Sequence, residues 1–206
     1  MIQPIEFKPR SQQDFIGPAA RLARLLENKA TAARASGCPF KLLITGGPGG
    51  GKSSLVAWLA GALAGHSSSI EMVNGQQVGV DRVNGWIDGQ SYRPITGGYN
   101  VKIIDELDSA SNGAIGFLRT FLDRLPSFHA VLATSNKEIG DLPESLQTRF
   151  QWFNLPRPSG QDIAVLIQSF GLTSESAEIA KKSAGNVRSA LLDAQSVLDR
   201  KQLEVA

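Results

Sequence analysis

The sequence predicts an α/β protein, a three-layer parallel sheet core followed by a small C-terminal α-helical lid. Three observations carry this. Short apolar runs alternate with longer segments whose apolar residues recur at helical spacing. The short runs are apolar along their length rather than at every second residue, the pattern of strands buried on both faces of a parallel sheet. Beyond the pair Pro156 and Pro158 the strand-like runs stop and only helical segments follow.

Residues 1–14 are polar and punctuated by proline, and read as an extended arm. Gly17-Pro18 opens a helix with Leu22, Leu25 and Leu26 on one face, running to about Ala35. Residues 37–39 break it. The run KLLIT at 41–45 is a buried strand ending in glycines, and 53–64, rich in Leu and Ala, is a helix. A second strand follows at 69–73, a weakly patterned helix at 80–87 and a loop at 89–98. VKIID at 101–105 is a strand ending in acids. Ala114, Phe117, Leu118, Phe121, Leu122 and Leu125 then fall at helical spacing. HAVLATS at 129–135 is a strand, a short helix follows Pro143, and 151–155 is a last short strand. The division is therefore 1–155 for the core and 156–206 for the lid. The lid helices lie near 161–170, 174–182 and 187–200, punctuated by Gly171 and Gly185.

Composition bounds the function. The chain has 206 residues, and its net charge of +2 permits contact with nucleic acid without arguing for it. Its single cysteine, Cys38, cannot form an internal disulfide and reads as a small buried hydrophobe. No apolar run reaches the roughly 20 residues that span a bilayer, and MIQPIEFKPR lacks the apolar stretch of a signal peptide. The expectation is a soluble cytoplasmic protein.

The stretch Gly46, Gly47, Pro48, Gly49, Gly50, Gly51, Lys52, Ser53 fits G-x-x-x-x-G-K-[ST] and lies between a predicted strand and a predicted helix, the context the motif requires. Glycines let the backbone curl so that N–H groups point at phosphate oxygens, and the following helix adds its positive end. Lys52 reaches the outer phosphates, the Ser53 hydroxyl takes a position on Mg²⁺, and Ser54 continues the binding set. Asp105 and Glu106 stand where the third strand emerges. Asp105 is the acid on the metal side, and Glu106 is the base that deprotonates the attacking water. The reading is an ATPase with ATP and Mg²⁺ as its ligands. A GTPase is rejected, because Asn136-Lys137-Glu138 is followed by Ile139 where a guanine-reading acid belongs. A nucleotide kinase would need an arginine-rich lid, which the helical C-terminal segment does not offer.

The order of motifs resembles the AAA+ ATPases, and within them the small subunits of clamp loaders such as replication factor C and the bacterial gamma/tau subunit. FKPRSQQDFIG at 7–17 resembles the clamp-loader opening, EMVNGQQVGVDRVNGWI at 71–87 its second strand and helix, and IIDELD its Walker B. ATSN at 133–136 is similar to sensor 1, ESLQTRF at 144–150 to the Ser-Arg-Cys stretch, and GNVRSAL at 185–191 to sensor 2. The likeness runs along nearly the whole chain. It implies that Ile16 and Gly17 line an adenine pocket, that Asn136 senses the γ-phosphate, and that Arg188 reaches it from the lid. It also implies that Arg149 is an arginine finger acting on a neighbouring subunit's ATP, and that Asn74 restrains Glu106.

Two departures stand out: Thr148-Arg149-Phe150 replaces Ser-Arg-Cys, and the chain stops near Ala206, so a collar domain is expected to be lacking. The implied partners are the same or related AAA+ subunits in a ring, DNA as primer-template or duplex backbone, and a sliding clamp or other replication protein. Arg82, Arg119 and Arg93 are the candidate DNA contacts. The alternative is an ATP-gated adaptor, a helicase-loader or initiator-like module with little turnover.

Overall fold

The computed structural model describes residues 9–94 and 97–205. Residues 1–8 of the predicted arm, including Phe7 and Lys8 of its clamp-loader-like stretch, and residues 95–96 of the predicted loop lie outside that set. Helix α1 (Gly17–Ser36) leads into strand β1 (Phe40–Thr45) and helix α2 (Lys52–Ala64). Then come β2 (Ile70–Asn74), α3 (Val80–Gly89), β3 (Asn100–Asp105), α4 (Asn112–Asp123) and β4 (His129–Ser135). A single-turn α5 (Glu144–Gln147) precedes β5 (Gln151–Asn154), after which α6 (Gly160–Gln168), α7 (Ser176–Ser183) and α8 (Val187–Val205) follow without further strands.

The five strands form one sheet in the order β2-β3-β4-β1-β5, with every pairing parallel. Along β1, β3 and β4 consecutive residues face opposite sides, so a continuous apolar run feeds two cores. Leu42, Ile44, Val101, Ile103, Ala130 and Leu132 pack against α1 and α2. Leu43, Ile104, Val131 and Ala133 pack against α3, α4 and the α5 turn. The C-terminal helices close around a third cluster, built on Ile163, Ile167, Leu172, Ile179, Ala190 and Ala194.

Local differences from the sequence reading have simple causes. The buried stripe of α1 is Ala19, Ala23, Leu26, Ala30 and Ala33, and Leu25 is exposed. Small side chains at this spacing let α1 lie close against α2, which the leucine pattern did not convey. Phe117 is likewise exposed, because the buried face of α4 is set by Ala114, Leu118, Phe121 and Leu122. Cys38 is exposed rather than buried, since it follows Gly37, the left-handed cap of α1, in the turn into β1. The buried Tyr99 hydroxyl lies 2.7 Å from the carbonyls of both Ala33 and Cys38, its one hydrogen serving the pair, and holds that turn. Within the predicted arm, Gln12–Asp14 is a turn of 3₁₀ helix. The last helix runs to Val205 rather than stopping at 200.

His129 at the start of β4 is 5% exposed. Its Nδ1 faces the Ser127 carbonyl at 3.1 Å and its Nε2 faces the Asn100 amide at 3.3 Å, an arrangement the neutral ring satisfies. Burial holds its pKa below the ordinary value of 6.5, outweighing the Ser127 bond. The unfolded chain therefore takes up a proton that the folded chain resists. Stability is unaffected above 6.5, falls as pH drops through that value, and stops falling below the folded pKa. Urea unfolding between pH 7.5 and 5 is expected to show this slope, and His129→Gln is expected to remove it.

Candidate functional site

The site lies at the C-terminal ends of the strands. β1 leads leftward to β2 and β4 leads rightward to β5, although β1 and β4 are neighbours. Connections that leave adjacent strand ends in opposite directions open a crevice there, the usual ligand site of such sheets. The glycine-rich loop leaves β1 at this point and enters α2, whose first residue is Lys52. Two glycines are required by close approach. A Cβ on Gly46 would lie 2.4 Å from the Leu155 carbonyl oxygen, and one on Gly49 would lie 2.0 Å from the Asn186 side chain. Gly49 also accepts a 2.9 Å hydrogen bond from the Val187 amide, which ties the loop to the start of α8.

Lys52 is 6% exposed, and its ammonium uses all three donors: to Gly46 O at 2.8 Å, Gly47 O at 2.9 Å and Asn136 Oδ1 at 2.9 Å. Burial depresses its pKa, while the charges of Asp105, Asp108 and Glu106 act in the opposite sense. The Ser53 hydroxyl donates to Asp105 Oδ1 at 2.7 Å. Thr134, on the next strand, donates to the same Asp105 oxygen and accepts the Glu106 amide at 3.0 Å. One hydroxyl thus fixes both acids, and β3 ends in a left-handed Glu106 with φ of 57°. Its carboxylate accepts from Asn74 at 3.1 Å and from Asn136 at 3.4 Å. Gly75 permits this, because a Cβ there would lie 2.1 Å from the Glu106 carbonyl oxygen. Asp108 accepts the Asn136 amide at 3.0 Å and so anchors the residue after β4.

These groups open into a cavity of about 390 Å³. Its polar end holds Pro48, Gly49, Gly50, Gly51, Lys52, Ser53, Ser54, Asp105, Glu106, Thr134 and Asn136. Its apolar lining comes from Pro9, Phe15, Ile16 and Ala19 of the N-terminal segment and from Val187, Leu191 and Leu192 of α8. Phe15 stands edge-on to Trp58 of α2, ring centres 5.5 Å apart. Arg188 and Gln195 complete the α8 wall.

Most residues singled out in the sequence come together here. Gly17, Gly46 and Gly47 do not line the cavity: Gly17 opens α1 against Asp162 of α6, and the other two back the loop, their carbonyls held by Lys52. Arg149 lies elsewhere, paired with Asp123. Sequence reasoning passed over Phe15, Ala19, Thr134, Val187, Leu191, Leu192 and Gln195. Spacing offered a signal for the last four, since positions 187, 188, 191, 192 and 195 share one face of a helix with Arg188. Among the described residues no cluster of three or more His, Cys, Asp or Glu could hold a metal ion, and no helix is long and apolar enough to cross a membrane.

A glycine-rich loop between a buried strand and a helix N-terminus, facing an Asp-Glu pair at a parallel strand end, defines the P-loop NTPase class of α/β proteins. Residues 42–155 match the ATPase family associated with various cellular activities (AAA), and the chain belongs to that family. Among solved structures it is similar to RuvB of Thermotoga maritima, described as a Holliday junction branch migration motor. That likeness has a TM-score of 0.77 at 22% identity, covering 97% of this chain and 68% of that one. A single-residue variant of the same RuvB gives 0.81 at 19% identity, covering 98% and 68%. Such likeness is one of fold. No curated protein matches the sequence.

Thr134→Val keeps the shape of the side chain while leaving the part-buried Glu106 amide without its acceptor and Asp105 without the Thr134 donor. It is expected to cost about 1–3 kcal/mol, measured by urea unfolding, with the far-ultraviolet circular dichroism unchanged.

Proposed function

We propose that the chain binds ATP with Mg²⁺ in this cavity, hydrolyses it, and works as a subunit of an oligomeric ring acting on DNA. The observation that carries the reading is the convergence of Lys52, Ser53, Asp105 and Glu106 on one cavity that Arg188 of α8 also lines. Loop amides and the N-terminus of α2 suit a triphosphate. Lys52 exchanges loop carbonyls for phosphate oxygens, and Arg188 joins from α8. The adenine lies at the apolar end, against Phe15, Ile16 and Leu191.

Ser53 Oγ and Asp105 Oδ1, within hydrogen-bond distance of each other at 2.7 Å, are the kind of oxygen donors Mg²⁺ takes alongside phosphates and waters. When bound, the ion offsets phosphate charge. Glu106 accepts the proton of the attacking water, and Asn136 orients that water. Asn74 holds Glu106 by its Oε2 and sets when the base is available.

Arg149 is supplied to a neighbouring subunit's ATP, which makes turnover depend on assembly with the same or related chains. Hydrolysis changes the angle between residues 1–155 and 156–206. The attachment of Val187 to Gly49 supports this, since it joins the loop directly to α8.

DNA enters the proposal from the clamp-loader-like order of motifs and from the likeness to a branch migration motor. Within that class the motif order favours a clamp-loader-type subunit, with primer-template DNA and a sliding clamp as partners. Arg119 is exposed on α4, whereas Arg82 is paired with Glu71 at 2.9 Å and Arg93 lies 4.7 Å above the Phe128 ring. Arg119 is therefore the stronger candidate for a phosphate contact.

Lys52→Ala is expected to abolish binding of a fluorescent ATP analogue, and unchanged affinity overturns the reading. Glu106→Gln is expected to bind ATP while lowering turnover by at least about a hundredfold. Wild-type turnover per chain is expected to rise with protein concentration and with DNA. A rate that stays negligible at every concentration, with nucleotide binding intact, supports the ATP-gated adaptor instead.

A further inference from the structure

We infer that Asp123 is the positioning residue for Arg149, fixing the guanidinium of the subunit that supplies it so that it meets a neighbouring subunit's nucleotide in one orientation. The inference rests on the reading of Arg149 as a finger in trans. Arg149 Nε donates to Asp123 Oδ1 at 2.8 Å and Nη2 donates to Asp123 Oδ2 at 2.9 Å, two parallel bonds along one edge of the planar group. A third bond, from Nη1 to the Ser145 carbonyl at 2.8 Å, comes from a different element. Three anchors from two directions fix both the plane and its rotation. A guanidinium has five N–H groups, so one on Nη1 and one on Nη2 remain, and these form its end-on fork. That fork is the part that suits phosphate oxygens.

Arg149 is the main partner of Asp123, with the charges of Lys41 and Arg119 acting in the same sense. Asp123 is the last residue of α4, where the helix end is negative and an acid is disfavoured. Its side chain is 52% exposed and that of Arg149 is 27% exposed, so the pair contributes little to folding. It does remove the rotamer freedom of a long side chain that has to act at a distance. Such ordering before assembly lowers the entropy lost when the finger engages.

The test uses the full chain in mixtures. An Arg149→Ala chain keeps its own ATP site and lacks the finger. A Glu106→Gln chain keeps the finger and has a stalled site. Mixing them under assembling conditions is expected to restore turnover. Adding Asp123→Ala to the Glu106→Gln chain is expected to lower the restored rate by about tenfold, and Asp123→Glu in the same place is expected to recover much of it. Adding Asp123→Ala to the Arg149→Ala chain instead is expected to have no further effect, because the defect belongs to the donor of the finger. An undiminished or faster rate with the Asp123→Ala donor overturns the positioning role. So does an equal loss when the change sits on the other chain. Failure of the first mixture to restore turnover removes the finger reading itself, and the positioning role with it.

Discussion

The register of β3 and β1 against β4 decides where every polar group of the cavity lies. Ile104 pairs with Ala133 and Ile44 with Thr134, so the loop after β1, the acids after β3 and Asn136 after β4 all emerge at one edge. A slip by one residue would turn the Thr134 hydroxyl to the opposite face and part Asp105 from Ser53. The apolar residues that forbid such a slip are those of the two cores, since each strand is read on both sides. The chemistry at the strand ends is thus positioned by side chains buried along their length. Thr134 converts that register into geometry, because its single hydroxyl serves both the side chain of Asp105 and the backbone of Glu106.

Much of this was legible in the sequence. Strands buried on both faces give apolar runs, and a phosphate loop in strand–loop–helix context has a spacing that few other structures need. Most of the loop, Asp105, Glu106 and Asn136, which line one cavity, were therefore singled out from residues alone or from motif order. What was not legible depends on contacts between distant segments. Phe15 reaches the cavity because α1 packs on α2 through alanines, a stripe that carries little hydrophobic signal. Leu25 and Phe117, which looked like core positions by periodicity, fall at the edges of their stripes and face solvent. Cys38 is exposed because a left-handed Gly37 swings the chain outward before β1 begins. Gly17, Gly46 and Gly47 were read as ligand contacts, whereas none of them lines the cavity: Gly17 packs against Asp162 of α6, Gly46 against Leu155 and Gly47 against Arg157.

The C-terminal helices are joined to the phosphate loop by close contacts, and at Gly49 they leave no room for a side chain. Val187 donates to Gly49, the Asn186 side chain fills the space a Cβ on Gly49 would need, and Arg157 lies against Gly47 while donating to the Ala184 carbonyl at 3.2 Å. Ile16 packs into the C-terminal cluster while also lining the cavity. Any ligand that moves the loop therefore acts on α8 through the backbone, without needing a flexible side chain as intermediary.

Helix α4 begins seven residues after Asp105 and ends at Asp123, a rod of 12 residues and about 18 Å. Its start follows closely on the Asp-Glu pair at the end of β3, and its last residue holds Arg149, the residue proposed to act on a neighbouring chain. A rod with unlike ends has a polarity, and identical copies set in a circle all point it the same way round. In the ring proposed above, coupling through α4 would then run in a single rotational sense. On that proposal the order of firing follows from the monomer's own geometry, before any track or cargo is encountered.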